Sequence, residues 1–318
     1  MLRVFLTEGD KLTEHDGIGL KGSWISLVNP TQEEKERVSA GTGIPLDFLE
    51  YPLDEEERSR IEFGDQEVLV IIRIPVARGE IYDTIPLGVI ITDACVVTVC
   101  LDNNPVLDEL RGGRMRGFYT FKKTRFLLHI LYLTAALYLR YLREIDRKSE
   151  AVRYRLQLAT RNEELFRLLD LGKSLVYITT SLRSNEIVME KLLRTYLAES
   201  ANGRQTDLIK MYEEDRELLE DVIVENKQAL EMGQIYTSIL NSMMDAFASI
   251  ISNNLNIVMK FLTGITIVLM IPTMVASFYG MNVPLPGQHA PHAFAGLLAV
   301  SATAAALTIW VLRRKQLF

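Results

Sequence analysis

The chain has 318 residues, 48% of them hydrophobic, a net charge of −6 and only two cysteines, and its mean hydropathy is positive. That apolar excess argues against an ordinary soluble enzyme, and two cysteines exclude a disulfide scaffold. The charge is unevenly spread. All 41 acidic residues lie at or before Asp245, and only four of the 35 basic ones (Lys260, Arg313, Arg314, Lys315) follow it, which leaves a balance of −10 on residues 1–245. The front therefore reads as acidic and soluble, the back as nearly uncharged and apolar, and no nucleic-acid partner is expected.

The first ten residues have too short an apolar run and too early an acid for a secretory signal, so residues 1–245 are expected in the cytoplasm. Residues 1–120 alternate short β-rich runs (4–6, 24–28, 68–74, 87–92, 96–100) with helix-like stretches such as 31–40, where Glu33, Glu34 and Glu36 populate the first turns. They predict a cytoplasmic α/β domain. Cys95 and Cys100 lie five apart in a strand-like run, on opposite faces, and read as core thiols. Gly112, Gly113 and Gly117 mark a boundary, after which residues 121–204 carry helical periodicity. Within them the 14-residue apolar run 126–139 is short of the roughly 20 residues needed to cross a bilayer and is flanked by Arg125 and Arg140, so it reads as a buried helix. His129 inside it reads as a core histidine.

Asn202-Gly203 breaks the chain, and from about residue 206 a helical pattern continues without proline to Pro272. Residues 205–260 are read as a stalk helix. The charge-free stretch 261–279, with Lys260 at its start and Tyr279 at its end, predicts a first membrane span; 280–292 is a short external loop. Residues 293–312 form a second span, and the cluster Arg313-Arg314-Lys315 in the tail 313–318 places the C-terminus, and with it the N-terminus, in the cytoplasm. Alanines at 299, 302, 304, 305 and 306 offer the second span a smooth face for close packing.

A heptad reading of the long helix carries the functional signal. One register gives Ser242, Asp245, Ser249, Ser252, Asn256, Met259, Thr263, Thr266, Met270, Thr273, Ser277 and Gly280, with no Leu, Ile, Val or Phe, while the flanking positions are full of them. An ordinary coiled coil puts aliphatics in that seam; a polar, flexible seam in an apolar helix is expected where the axis holds water or ions. Met259 and Met270 would supply apolar constrictions. The plainer alternative is that the hydroxyls bond back to their own helix or join neighbouring spans. One helix cannot enclose a pore, so a homo-oligomer in a lipid bilayer follows, with the first span inside and the second outside.

Tyr279-Gly280-Met281-Asn282 at the outer end of the first of two C-terminal spans, followed by a short loop, a second span and a basic tail, resembles the CorA family of magnesium transporters. The resemblance covers the architecture, with matching motifs in about residues 240–318. It implies a funnel-shaped homopentamer in which Gly280 carbonyls and Asn282 side chains hold a hydrated Mg²⁺, with Met281 in the same ring; Asn256, Met270 and Thr273 match pore-lining types in the family, with Asp245 below Asn256, and the heptad reading adds Met259, Thr263, Thr266 and Ser277 to the pore lining. It also implies a cytoplasmic regulatory divalent site at Asp221, within an acidic run of Glu213, Glu214, Asp215, Glu217 and Glu220. Mg²⁺ is then both cargo and regulator, and no resident cofactor is expected.

The loop departs from the family pattern. It lacks a carboxylate, and its His289 and His292 are candidate ligands for Zn²⁺, Co²⁺ or Ni²⁺, so the zinc-transporting ZntB branch stays open. Gly172-Lys173-Ser174 is no phosphate loop, because Arg167 stands where the first glycine is needed. No nucleophile elbow or His/Asp cluster appears in residues 1–200, so enzyme chemistry is not expected. The rival of another class is a non-conducting membrane-anchored sensor or scaffold.

Overall fold

The computed structural model describes residues 1–9, 11–112, 117–158, 162–202, 208–283 and 291–315. The chain divides into two compact units, Met1–Ser242 and Met243–Phe318.

The first unit is built on a seven-stranded sheet: β1 (Leu2–Glu8), β2 (Lys11–His15), β3 (Ser23–Val28), β4 (Arg60–Phe63), β5 (Glu67–Arg78), β6 (Ile81–Thr92) and β7 (Cys95–Cys100). Their order is β2-β1-β3-β7-β6-β5-β4. All pairs are antiparallel except β3 with β7, whose crossover carries the short helices α1 (Gln32–Thr42) and α2 (Leu46–Glu50) and the hairpin β5–β6. Central strands are buried on both faces, so β7 reads as unbroken Cys-Val-Val-Thr-Val-Cys with every residue buried and both thiols free. Helix α1 begins as the sequence predicts: Thr31 caps it in a full capping box with Glu34.

Two long helices, α4 (Lys123–Leu158) and α5 (Asn162–Asn202), pack on the sheet, with α3 (Pro105–Arg111) before them and α6 (Glu213–Tyr279) after them in the chain. The apolar run 126–139 lies inside α4, where Phe126, Leu128, Ile130, Leu131 and Tyr138 are fully buried. His129 packs edge-on to Phe118, and burial lowers its pKa, with Arg125 adding to the effect.

A polar cluster ties α5 to the sheet. Asn185, fully buried, accepts from the Arg73 backbone N–H (2.9 Å) and from Ser59 Oγ (2.8 Å), and donates to the Arg73 carbonyl (2.7 Å). Its amide serves β5 as an additional strand would. The Arg73 guanidinium in turn donates to the carbonyls of Glu55, Glu57 and Thr84.

Helix α6 starts at Glu213, later than the expected residue 206. The Asp215 carboxylate accepts the Tyr212 N–H (3.2 Å), a capping contact that sets this start. Against α5 it runs antiparallel: Asn226 donates to the Leu182 carbonyl, Gly233 packs on Thr179, and Gly172 packs on Leu240.

The second unit holds the rest of α6 and α7 (Ala293–Arg314). Both helices are long and apolar enough to cross a membrane. Each has one covered stripe. On α6 it runs through Gly264, Val268, Ile271, Pro272 and Val275; on α7 through Ala293, Leu297, Ser301, Ala304, Ala305, Thr308 and Leu312. Both follow the i, i+4, i+7 spacing of a single helix face. Of the alanines expected to provide a smooth face, only Ala304 and Ala305 fall on the stripe.

Candidate functional site: the seam of α6 and its glycine-ended tip

All twelve seam residues, from Ser242 to Gly280, are exposed in the single chain. Exposure alone does not distinguish them, because flanking residues such as Phe261, Leu262 and Leu269 are exposed as well. Their azimuth does. At roughly 100° per residue, the seam line through Met259, Thr263, Thr266, Met270, Thr273 and Ser277 lies about 160° round the helix from the covered stripe. At the Lys260 end an open cleft of about 350 Å³ brings Asn256, Met259 and Thr263 beside Leu312.

The seam hydroxyls partly follow the plainer alternative. Thr266 Oγ1 donates to the Leu262 carbonyl (2.8 Å), Thr273 Oγ1 to Leu269 (2.9 Å) and Ser242 Oγ to Ser238 (2.9 Å). Each hydroxyl proton is used within the helix, and each oxygen keeps acceptor capacity.

At the far end α6 stops at Tyr279. The Gly280 N–H bonds to the carbonyls of Ala276 (3.0 Å) and Ser277 (3.2 Å), and the Met281 N–H to Phe278 (3.3 Å). Gly280, Met281 and Asn282 follow as an exposed turn at the negative end of the helix dipole, an environment that favours cations. Gly280 does not occupy the left-handed region, and a Cβ there would make only ordinary contacts at 3.4 and 3.5 Å. Among the described residues nothing requires glycine at this position.

The acidic start of α6 is less uniform than its sequence suggests. Arg125 pairs with Asp215 (2.9 Å) and Glu214 (3.0 Å), and Arg216 with Glu213 and Glu220. Asp221 is exposed, and Glu217 and Glu225 stand four residues to either side on the same helix face. Glu225, which sequence reasoning passed over, has its pKa raised by burial and then by the Asp221 charge. Its i+4 spacing from Asp221 is the signal that could have found it. Among the described residues no three His, Cys, Asp or Glu side chains converge as a metal site. His292 is exposed just before α7, while His289 lies outside the described residues.

An α/β unit followed by two exposed apolar helices, the first with a polar seam, defines a class of two-span membrane proteins. The family described as CorA-like Mg²⁺ transporter protein matches residues 20–314, and the chain belongs to it. It is accordingly a membrane transporter of divalent cations and not an enzyme.

Among relatives, the cobalt/magnesium transport protein CorA of Methanocaldococcus jannaschii is 30% identical over 301 residues, covering 92% of this chain and 90% of that one. The protein of the same name from Thermotoga maritima is 23% identical over 303 residues, covering 92% and 83%. The complete structure of the CorA magnesium transporter from M. jannaschii superposes with a TM-score of 0.82 at 26% identity, covering 99% of this chain and 98% of that one.

Proposed function

We propose that this protein is a homo-oligomeric channel, five copies by family resemblance, that admits Mg²⁺ into the cytoplasm through an axis lined by the α6 seam. Both termini face the cytoplasm, and Gly280-Met281-Asn282 forms the outer mouth. The observation that carries this reading is the azimuth of the seam: between Met259 and Ser277 the polar line stays exposed on the side of α6 away from its covered stripe, so it is left for other copies and the aqueous axis they enclose.

Two details support it. A hydrated Mg²⁺ presents outward-pointing water protons, so its path needs acceptors, and back-bonded Thr266 and Thr273 offer oxygen lone pairs with their own protons already spent. Among the described residues Gly280 meets nothing that requires glycine, which fits a mouth where several copies approach one axis. Neutral oxygens from Gly280 and Asn282 hold a hydrated ion without trapping it. Met259 and Met270 provide the apolar constrictions, Asn256 the inner neck, and Asp245 an acidic attraction below it.

The membrane potential supplies the driving force, about 4.6 kcal/mol per 100 mV for a doubly charged ion. Regulation lies at Asp221, with Glu217 and Glu225 on the same face: like charges on adjoining copies repel unless a cytoplasmic cation bridges them, so loss of Mg²⁺ favours opening.

The test is a cation panel on the purified chain in liposomes. Mg²⁺ uptake that exceeds uptake of Zn²⁺, Co²⁺ and Ni²⁺ at equal concentration supports the reading. Preference for Zn²⁺ would transfer it to the zinc-transporting branch, and absence of any flux would leave the non-conducting sensor.

A further inference from the structure

The second unit is cationic at one end only. After Asp245 the sequence holds no acidic residue and four basic ones, Lys260, Arg313, Arg314 and Lys315. Lys260 precedes the first apolar stretch and the other three follow the second, while residues 280–292 between the stretches contain no Lys, Arg, Asp or Glu. All four cations are exposed. Asp245, the one acid of the unit, stands 15 residues before Lys260, about 22 Å along the helix. Positive charge concentrated beside apolar helix matches the headgroup phosphates of anionic lipids.

The cleft at the Lys260 end gives that charge a shape. Besides the seam residues, it is walled by Asn253, Lys260, Gly264, Ile267 and Leu312. Leu312 is buried and is followed directly by Arg313, which brings the tail cations to the same end of the unit as Lys260. Asn253, Lys260 and Gly264 lie within about 65° of the covered stripe of α6, closer to it than to the seam. Along α6 this wall changes in the order of a phospholipid's own parts. The Asn253 amide and the Lys260 ammonium come first, then bare backbone at Gly264 and the Ile267 side chain. From Asn253 to Ile267 is 14 residues, about 21 Å, roughly the thickness of one bilayer leaflet. On α7, Trp310 is exposed with the Arg314 guanidinium 5.5 Å from its ring centroid, an aromatic and a cation of the kind that sit among headgroups.

We propose that this cleft holds an anionic phospholipid of the leaflet at that end, the cytoplasmic one in the orientation given above. Lys260 pairs with its phosphate, the Asn253 amide donates to a phosphate or ester oxygen, and Arg313 supplies a second positive charge. One acyl chain runs over Gly264 against Ile267 and Leu312. The occupant is lipid and not a soluble anion, because the polar wall continues directly into an apolar one. Nor is it the same end of another copy, which carries the same four cations and no acid. The site rests on the membrane-spanning reading of α6 and α7, but not on the identity of the transported ion.

The test is native mass spectrometry of the full, delipidated chain, titrated in detergent with phosphatidylglycerol or with phosphatidylcholine of the same acyl chains. The expected result is that the first phosphatidylglycerol on each chain binds at least about fivefold tighter than phosphatidylcholine. Lys260→Gln should reduce that preference to within about twofold, and Lys260→Arg should keep it. Ile267→Trp changes no charge but fills the apolar wall, and should weaken phosphatidylglycerol binding at least about threefold. Circular dichroism verifies the helix content of each variant. Equal binding of the two lipids would overturn the proposal. So would a preference unchanged in Lys260→Gln, or phosphatidylglycerol binding unchanged in Ile267→Trp, either of which would leave only a diffuse attraction to the basic tail. Lipid bound by single chains but excluded from the assembled species would also overturn it, assigning the cleft to a contact between copies. Flotation of the chain with liposomes scores the membrane reading separately. A chain that floats but binds both lipids equally removes this site alone, whereas failure to float removes both.

Discussion

Replacing Thr273 by valine keeps the shape of the side chain and removes one oxygen from the seam. Among the described residues the hydroxyl bonds back to Leu269 within α6, a contact that contributes little to helix stability, so the fold should be unchanged. The loss falls on the ion path. A hydrogen bond from an ion's water to a neutral acceptor contributes about 1 kcal/mol net. In a ring of several copies, a passing ion that touches two such oxygens at once loses about 2 kcal/mol, or roughly 30-fold in rate. The assay is Mg²⁺ uptake into liposomes at matched protein content, with circular dichroism to verify helix content. Thr303→Val is the internal control, since Thr303 makes the same back bond, to Ala299 at 2.7 Å, but on α7. Uptake by Thr273→Val within about twofold of the parent, or an equal loss in Thr303→Val, would refute the assignment of the seam to the ion path.

Gly280→Ala should leave the thermal midpoint unchanged, because the added Cβ meets only ordinary contacts among the described residues, yet lower Mg²⁺ uptake; unaltered uptake would remove the crowding argument. Asp221→Ala should make current insensitive to internal Mg²⁺, and retained sensitivity would relocate the regulatory site. Asn185→Ala leaves the Arg73 N–H buried without a partner and removes two further bonds, a cost of about 3–5 kcal/mol that denaturant titration should detect as a lower midpoint. His129 has a folded pKa below its unfolded one, so its contribution to stability is present above the unfolded pKa and is lost as pH falls toward the folded one. His129→Asn should flatten that acid limb below about pH 6.5 in a pH-dependent melt.

The apolar spans were legible in the sequence because uncharged runs of about 20 residues have few other fates, and the seam was legible because a seven-residue repeat survives in a continuous helix. Other features were not. Strands β2 and β4 are short edge strands with Lys11, Glu14, Arg60 and Glu62 among their few residues, so their alternation is too brief to register. The parallel pairing of β3 with β7 joins segments almost 70 residues apart, which no local pattern encodes. Helices α4 and α5 read as one segment because residues 157–162 contain neither glycine nor proline. The acidic run looked like six equivalent charges until Arg125, some 90 residues away, was found to take Glu214 and Asp215. Arg73, an isolated cation inside an aliphatic run, was the one sequence sign of the buried cluster around Asn185.

The central claim is that a divalent cation crosses the membrane through the α6 axis and its Gly280-Met281-Asn282 mouth. It is tested most directly by potential-driven Mg²⁺ uptake into liposomes containing the purified chain, compared with Asn282→Ala and with empty liposomes. Uptake by the parent that falls to the empty-liposome level in Asn282→Ala is the predicted result. Parent uptake no greater than that of empty liposomes, or full uptake by Asn282→Ala, would contradict it.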